Sequence, residues 1–375
     1  MHISIFSIWM TVLWSSLLIL IFYILRKRLI LLDICSVSGV IILYLFCMIR
    51  MMLPLEFPWT IILSGGGFYR AMYSALSYEI GKRLSVGYIL AGIWIAGTMI
   101  FIIRHTVQYD ALRRCFNRFA DCTDEKTNDT MKHIDNSGKI KVLQTEAIDI
   151  PCCFGILHKR IALPAKEYTD DELYFILFHE YLHLKNRDIL TKVLTNLFCA
   201  VYWWNPFVYL LKKDLNQSLE IRCDDIAVNG LDKKNRADYL SAMLTVFKNA
   251  GLQNTQEKNS YVTQMIEKHT ERLIERFRIV AKGNKKRVRS GKLSALVIAG
   301  VMLMASYSVS IHPHYEAPMD EIETDENTHV IVPDDAYIIK KANGNYYLHT
   351  EFGDVLLGEE ERMRLVDDGF AVYEE

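Results

Sequence analysis

The sequence predicts a multi-pass α-helical membrane protein that carries a cytoplasmic α+β domain and a small β-rich tail outside the membrane. Three observations predict it. Four apolar runs are long enough to cross a bilayer, basic clusters flank them asymmetrically, and a His-Glu-x-x-His stretch lies between the third run and the fourth. The chain of 375 residues is 51% hydrophobic, high for a soluble protein and low for one wholly embedded in lipid. Its formal net charge of −1 conceals an uneven distribution.

The first run, 3–25, offers roughly 20 apolar residues for a hydrocarbon core of ~30 Å. Arg26-Lys27-Arg28 follow it instead of preceding it, and no small-residue cleavage site is evident, so it reads as a signal anchor. The second run is 29–52, broken mildly by Asp33. Residues 54–85 form a mixed loop with Gly65-Gly66-Gly67 and several tyrosines, where a short interfacial helix is expected. The third run, 86–103, is followed by Arg104, His105, Arg113, Arg114 and Arg118. The fourth, 293–311, is preceded by Lys282, Lys285, Lys286, Arg287, Arg289 and Lys292. All three basic sites become cytoplasmic when the N-terminus is outside. The expected organisation is then three spans in 1–104, with 54–85 outside between the second and third. A cytoplasmic domain at 105–292, a fourth span at 293–311 and an outside tail at 312–375 follow. That tail carries 17 acidic against 4 basic residues, an excess that suits export.

A further apolar stretch, 189–211, competes as a fifth span. Lys192, Asn196, Asn205 and Pro206 weaken it, and a crossing there would separate the histidines from everything downstream. It reads instead as a helix, a turn at Trp204-Asn205-Pro206 and a second helix, resting on the membrane face or a neighbouring span. The eight cysteines include no Cys-x-x-Cys pair, and Cys152-Cys153 are adjacent, so reduced thiols are expected.

The motif helix has a start signal: Thr169 with Glu172 three residues on makes a capping box, and Asp170 and Asp171 suit the positive helix end. On that helix His179 and His183 fall on one face, four residues apart, where both imidazoles reach one metal ion. Glu180 sits beside them, placed to take a proton from water on that metal. One zinc ion is the expected cofactor, since imidazole plus carboxylate suits it. A catalytic zinc needs a third protein ligand. A later helix, opened by Asn205 and Pro206 and stopped at Gly230, offers Glu220. Asp224 lies four residues on, a candidate to orient a ligand histidine from behind. Cys223 points about 60° off that face at ~100° per residue and reads as packing. For Glu220 alone a solvated acidic face, paired with Arg222 or Lys213, is the plainer reading; the Glu-x-x-x-Asp spacing argues against it.

These motifs resemble the BlaR/MecR antirepressor type of membrane zinc metallopeptidase. The pattern is present as Phe154-Gly155 with Arg160 and Pro164, then His179-Glu180-x-x-His183 with Lys185, Arg187 and Asp188. Trp203-x-Asn205-Pro206 and Glu220-x-x-Cys223-Asp224 complete it, so the likeness covers about 1–311. The resemblance implies that the cytoplasmic α+β domain is gluzincin-like, with zinc on His179, His183 and Glu220 and Glu180 as the general base of peptide hydrolysis. It implies that 152–163 is an edge strand pairing with an extended substrate. One departure stands out. Receptors of this type that sense beta-lactams continue into a penicillin-binding domain, and no Ser-x-x-Lys follows the fourth run here. The tail offers strand-like 336–340 and 345–351 about a turn at Asn343-Gly344-Asn345, then 352–357 and a short helix at 359–365.

The expected function is a sensor-transducer of the cell membrane, in which an outside event switches a cytoplasmic metalloendopeptidase that cleaves a transcriptional repressor, itself, or both. Tyr181, His158 and Arg187 are the candidates to steady the oxyanion or hold substrate. The basic loop around Phe277, Arg278, Lys282 and Lys285 is the candidate self-cleavage site. Expected partners are the lipid bilayer and a peptide or protein substrate, with a homodimer left open and no direct contact with nucleic acid. The competing readings are a Ste24/HtpX-like processing or quality-control peptidase, and a non-catalytic membrane receptor with a structural zinc.

Overall fold

The computed structural model describes residues 5–55, 57, 59–64, 74–76, 78, 85–118, 124–253, 273–281, 291–312, 336–341, 344–350, 353–367 and 370–374. It divides into two compact units, Met1–His314 and Tyr315–Glu375. The first unit takes in the expected segments 1–104, 105–292 and 293–311, for a reason that lies in the packing of the helices.

The first unit opens with α1 (Ile5–Lys27) and α2 (Ile30–Met52), long because leucine and isoleucine run without proline until Pro54. Leu29 adopts a left-handed φ of 62°, which reverses the chain in a two-residue link. α3 (Val86–Arg118) has 33 residues, about 50 Å at 1.5 Å per residue, and continues well past the expected 86–103. The segments Ser7–Lys27, Ile34–Met52 and Val86–Ala111 are long and apolar enough to cross a membrane. The fourth expected span is shorter than that. Its helix is α10 (Gly291–Ser308), with an apolar part at Leu293–Ser308. The run to Ile311 does not stay helical, because Val309–His312 (β5) pairs in parallel with Ile61–Ser64, a strand inside the expected loop. α10 sits close on α2: a Cβ on Gly39 would lie 2.8 Å from the Gly291 carbonyl oxygen. Arg50 is buried at that junction. Its Nε donates to Ser306 Oγ at 2.8 Å, its Nη1 to Thr11 Oγ1 at 2.8 Å, and it covers the Tyr307 ring at 3.7 Å, so its charge is not left bare.

The remaining elements build the motif region. With the strand at Ile61–Ser64 as β1, they are α4 (Glu125–Ile134), β2 (Lys141–Thr145), β3 (Cys152–Phe154), β4 (Arg160–Pro164) and α5 (Asp170–Lys185). α6 (Asp188–Val201), α7 (Pro206–Ala227), α8 (Lys233–Gln253) and α9 (273–281) follow. The sheet order is β2-β4-β3, with β4 parallel to β2 and antiparallel to β3. Residues 152–163 are thus a hairpin and not one edge strand. Gly155, at φ 87°, breaks them where a Cβ would come 2.0 Å from the His158 carbonyl oxygen. Of the two strands of that hairpin, β3 lies at a sheet edge and β4 at the centre. Adjacent Cys152 and Cys153 pack into different apolar clusters, as alternating strand residues must, and the six cysteines described are free thiols.

The apolar stretch 189–211 is the expected helix, turn and helix. Asn205 caps α7 by accepting from the Phe207 amide at 2.9 Å, with Pro206 at the first helical position. The turn rests on all three apolar N-terminal helices. Tyr202 donates to the Met51 carbonyl at 2.6 Å, Trp94 Nε1 to the Val201 carbonyl at 2.7 Å, and Asn205 Nδ2 to Ser16 Oγ at 2.9 Å. α7 then joins two cores. Val208, Leu211, Leu215, Leu219 and Ile221 lie among α1, α2 and α10, whereas Cys223, Ala227 and Val228 lie among β2, β4, α5 and α8. That shared helix is why the first 314 residues form one unit. Asn205→Ala removes a cap and a buried bond together and is expected to cost about 1–2 kcal/mol, read as a lowered unfolding midpoint in detergent.

Among the described residues the second unit is a four-stranded sheet with one helix. β6 (Tyr337–Lys340), β7 (Tyr346–Thr350) and β8 (Gly353–Leu356) form a meander, α11 (Glu359–Asp367) follows, and β9 (Val372–Glu374) returns parallel to β6. β9 was not expected from sequence. Asn343 and Phe352 lie outside the described residues. Ala336, Ile338, Leu348 and Phe370 make its small core.

Candidate metal centre

The expected capping box starts α5. Glu172 N donates to Thr169 Oγ1 at 3.3 Å, and Thr169 N donates to Glu172 Oε2 at 3.1 Å. From that start the α-helical period brings His179 and His183 to one face, 4% and 3% exposed. α7 crosses α5 and presents Glu220 to them. The three ligand atoms form a near-equilateral triangle. His179 Nε2 and His183 Nε2 are 3.2 Å apart, and Glu220 Oε2 lies 3.5 Å from the first and 3.4 Å from the second. Three tetrahedral zinc ligands at about 2.0–2.1 Å lie about 3.3 Å from one another, so the donor set and its spacing both fit zinc. Burial works against charge on both groups, yet facing each other holds the His183 imidazole well above its usual range and the Glu220 carboxyl well below it.

Behind each histidine lies a bond that fixes its ring. His183 Nδ1 lies 2.7 Å from Asp188 Oδ2, and Arg222 pairs with the other oxygen of that carboxylate. This depends on a sharp reversal. Arg187 takes a left-handed φ of 58° between α5 and α6, which folds Asp188 back onto a histidine five residues earlier. His179 Nδ1 lies 3.0 Å from the Tyr239 hydroxyl, which donates to Asp224 Oδ1 at 2.6 Å. Asp224 is in turn gripped by Arg276, Nε to Oδ2 at 2.6 Å and Nη2 to Oδ1 at 2.8 Å. Burial works to raise the Asp224 carboxyl, and Arg276 overrides it and holds the group below its usual range. In both cases Nδ1 is engaged on the far side, and Nε2 is left to the triangle. Asp224 lies 3.4 Å from His179 Nδ1, so its orienting role runs chiefly through Tyr239. Asp188→Asn is expected to lower zinc affinity roughly 10–100-fold, measured by competition with a chelator, with the fold unchanged by circular dichroism.

The triangle opens into a cleft of about 450 Å³ walled by β3 and its approach (Ile150 to Cys153), Glu180, Lys192, Gln217 and Arg276. Glu180 is 9% exposed and accepts from the Cys153 thiol, which burial and this carboxylate push upward. The three expected oxyanion candidates are not on this wall. Tyr181 is two residues from each histidine, hence about 200° round the helix, stacked on Phe178 at 6.3 Å. His158 is exposed in the β3–β4 turn, and Arg187 is exposed in the reversal. Lys192 and Arg276 are the cations that face the cleft. Phe277 and Arg278 are helical, on α9, because Phe277 and Val280 dock into the second core; Lys282 and Lys285 lie outside the described residues. Cys223 is buried as expected, 3.4 Å from His183 Nδ1 and 3.5 Å from Asp188.

Comparison with known proteins gives this arrangement a family. The regulatory protein BlaR1 of Bacillus licheniformis is 26% identical over 184 residues, 45% of this chain and 29% of its own length. The methicillin resistance mecR1 protein of Staphylococcus aureus is 22% identical over 244 residues, 61% of this chain and 40% of that one. The regulatory protein BlaR1 of Staphylococcus aureus is 29% identical over 108 residues, 28% of this chain and 18% of that protein. The chain spans less than half the length of these relatives. The model of the BlaR1 peptidase M56 family matches residues 2–280, a reach that takes in all of α1 and ends in α9, where Arg276 closes the shell behind His179. The chain belongs to the BlaR1 peptidase M56 family.

Proposed function

We propose that this chain is an integral membrane zinc metalloendopeptidase that acts as a sensor-transducer, cleaving a cytoplasmic transcriptional repressor, itself, or both. The observation that carries the reading is the His179, His183, Glu220 triangle at zinc spacing on the wall of an open cleft, with Glu180 beside it. Zinc held there would polarise a peptide carbonyl and acidify a water molecule. Glu180 is the residue that would take a proton from that water and pass it to the leaving amine. β3 is a sheet edge beside Glu180, so its backbone suits an extended peptide laid antiparallel or parallel along it. Lys192 and Arg276 place positive charge where the carbonyl oxygen becomes negative.

In this reading α1, α2 and α3 cross the membrane with the N-terminus outside, the metal centre faces the cytoplasm, and α10 leads to an outside tail. The basic clusters support that orientation. The regulatory names of the relatives favour a sensor over a housekeeping peptidase. Terminal-amine proteomics of cells carrying wild type or Glu180→Gln tests the whole reading. New N-termini in a DNA-binding repressor, or in this chain, are expected with wild type alone. Identical sets of termini in the two strains would sink it.

A further inference from the structure

Two charge networks meet in α9, one through the half-buried Glu275 and one through the buried Arg276. On one side, Glu275 Oε1 accepts from Arg26 Nη2 at 3.1 Å, and its Oε2 accepts from Gln217 Nε2 at 3.3 Å. Arg26, at the end of α1 and 4% exposed, also pairs with Asp214 of α7, which accepts in turn from the Tyr44 hydroxyl of α2. On the other side, Arg276 holds Asp224 through Nε and Nη2 and brings Nη1 within 3.6 Å of Glu220 Oε2. Asp224 holds Tyr239, and Tyr239 holds His179. One peptide bond, between Glu275 and Arg276, separates the two networks. The apolar side chains of α9 divide the same way, Ile279 toward the core of α1, α2 and α10, and Phe277 and Val280 toward the core beneath α5.

Such pairs constrain each other strongly. Arg26, Asp214, Asp224 and Arg276 are each 7% exposed or less, and a buried charge that loses its partner is costly. α9 therefore follows the end of α1, and Asp224 follows α9. We propose that Glu275 is a positioning residue: through Arg276 it transmits the position of the cytoplasmic end of α1 to Asp224 and Tyr239, and so to the ring of His179. The inference rests on the reading of His179 as a metal ligand and adds to it a route by which a membrane helix tunes the site. Nothing in the proton transfers assigned to Glu180 requires Glu275 or Arg26.

Cobalt substitution of the full-length chain in phospholipid nanodiscs tests this without any substrate. The visible absorption of bound Co2+ reports ligand geometry, and its rate of loss to a chelator reports how firmly the site is held. Arg276→Gln should speed loss about tenfold or more, as outer partners of a ligand histidine do. Glu275→Gln should speed it roughly threefold, a coupling of ordinary size, and shift the spectrum in the same direction. The double variant should be no faster than Arg276→Gln alone. Arg26→Lys keeps a charge on Asp214 but loses the fork that also reaches Glu275, so it should act like Glu275→Gln, and it decides the matter where Glu275→Gln fails to fold. Wild-type spectrum and rate in both Glu275→Gln and Arg26→Lys, or additive effects in the double variant, overturn the proposal while leaving the metal site intact. A wild-type chain that takes up no cobalt overturns the metal reading itself.

Discussion

Replacing Glu180 by glutamine is expected to leave zinc at full occupancy and to lower kcat/KM for peptide hydrolysis by at least about 10²-fold. The general base and acid is worth roughly 10²–10⁴ in rate, and glutamine keeps its shape while giving up proton transfer. The structure separates that role from metal binding. Glu180 is outside the His179, His183, Glu220 triangle, yet it shares the cleft with it. A carboxylate that merely packed would be replaced at little kinetic cost. A carboxylate that only helped hold the ion would lose metal together with activity. The measurement is therefore a pair: metal content by elemental analysis, and hydrolysis of a quenched fluorescent peptide across pH. Loss of hydrolysis with metal retained fits the assigned base. Unchanged hydrolysis removes Glu180 from the mechanism.

Much of the site was legible because its main signals are local. The i, i+4 spacing of His179 and His183, the Thr169 box and the Asn205-Pro206 start need only the period of a helix and the chemistry of its ends. Glu220 was reachable through the Glu-x-x-x-Asp spacing of the helix that Asn205 and Pro206 open. What was not legible came from elsewhere. Tyr239 is 60 residues from His179, and Arg276 is 52 from Asp224, separations that no periodicity relates. Asp188 was visible in the family pattern but carried no role, since five residues along a continuous helix would aim it away from His183. Its function exists only because Arg187, a residue with a β-carbon, accepts a left-handed turn. The end of the fourth apolar run was misplaced for a similar reason: hydropathy continues through Ile311, but backbone pairing with Ile61–Ser64 ends the helix at Ser308.

Replacing Glu220 by alanine is expected to abolish stable zinc binding, a larger loss than the roughly 10–100-fold of an outer-shell change. Two imidazoles alone leave a catalytic zinc one protein ligand short. The same substitution also strips His183, Lys192 and Arg276 of the carboxylate they face. Zinc at 100 times its dissociation constant should stabilise the wild-type fold by about 2.7 kcal/mol, so its unfolding midpoint rises with added zinc and that of Glu220→Ala does not. The experiment also decides between two clusters. His183 takes part in a second group, with Asp188 and Cys223, on its Nδ1 side. All three members of that group are buried, so an ion there would be closed to water and substrate, as structural zinc is. Zinc-dependent stabilisation that survives Glu220→Ala and disappears in Cys223→Ser would place the ion in the closed group and make Glu180 a bystander. Stabilisation that disappears in Glu220→Ala and survives in Cys223→Ser places it on the cleft, the side from which Glu180 reaches water and β3 offers a free edge.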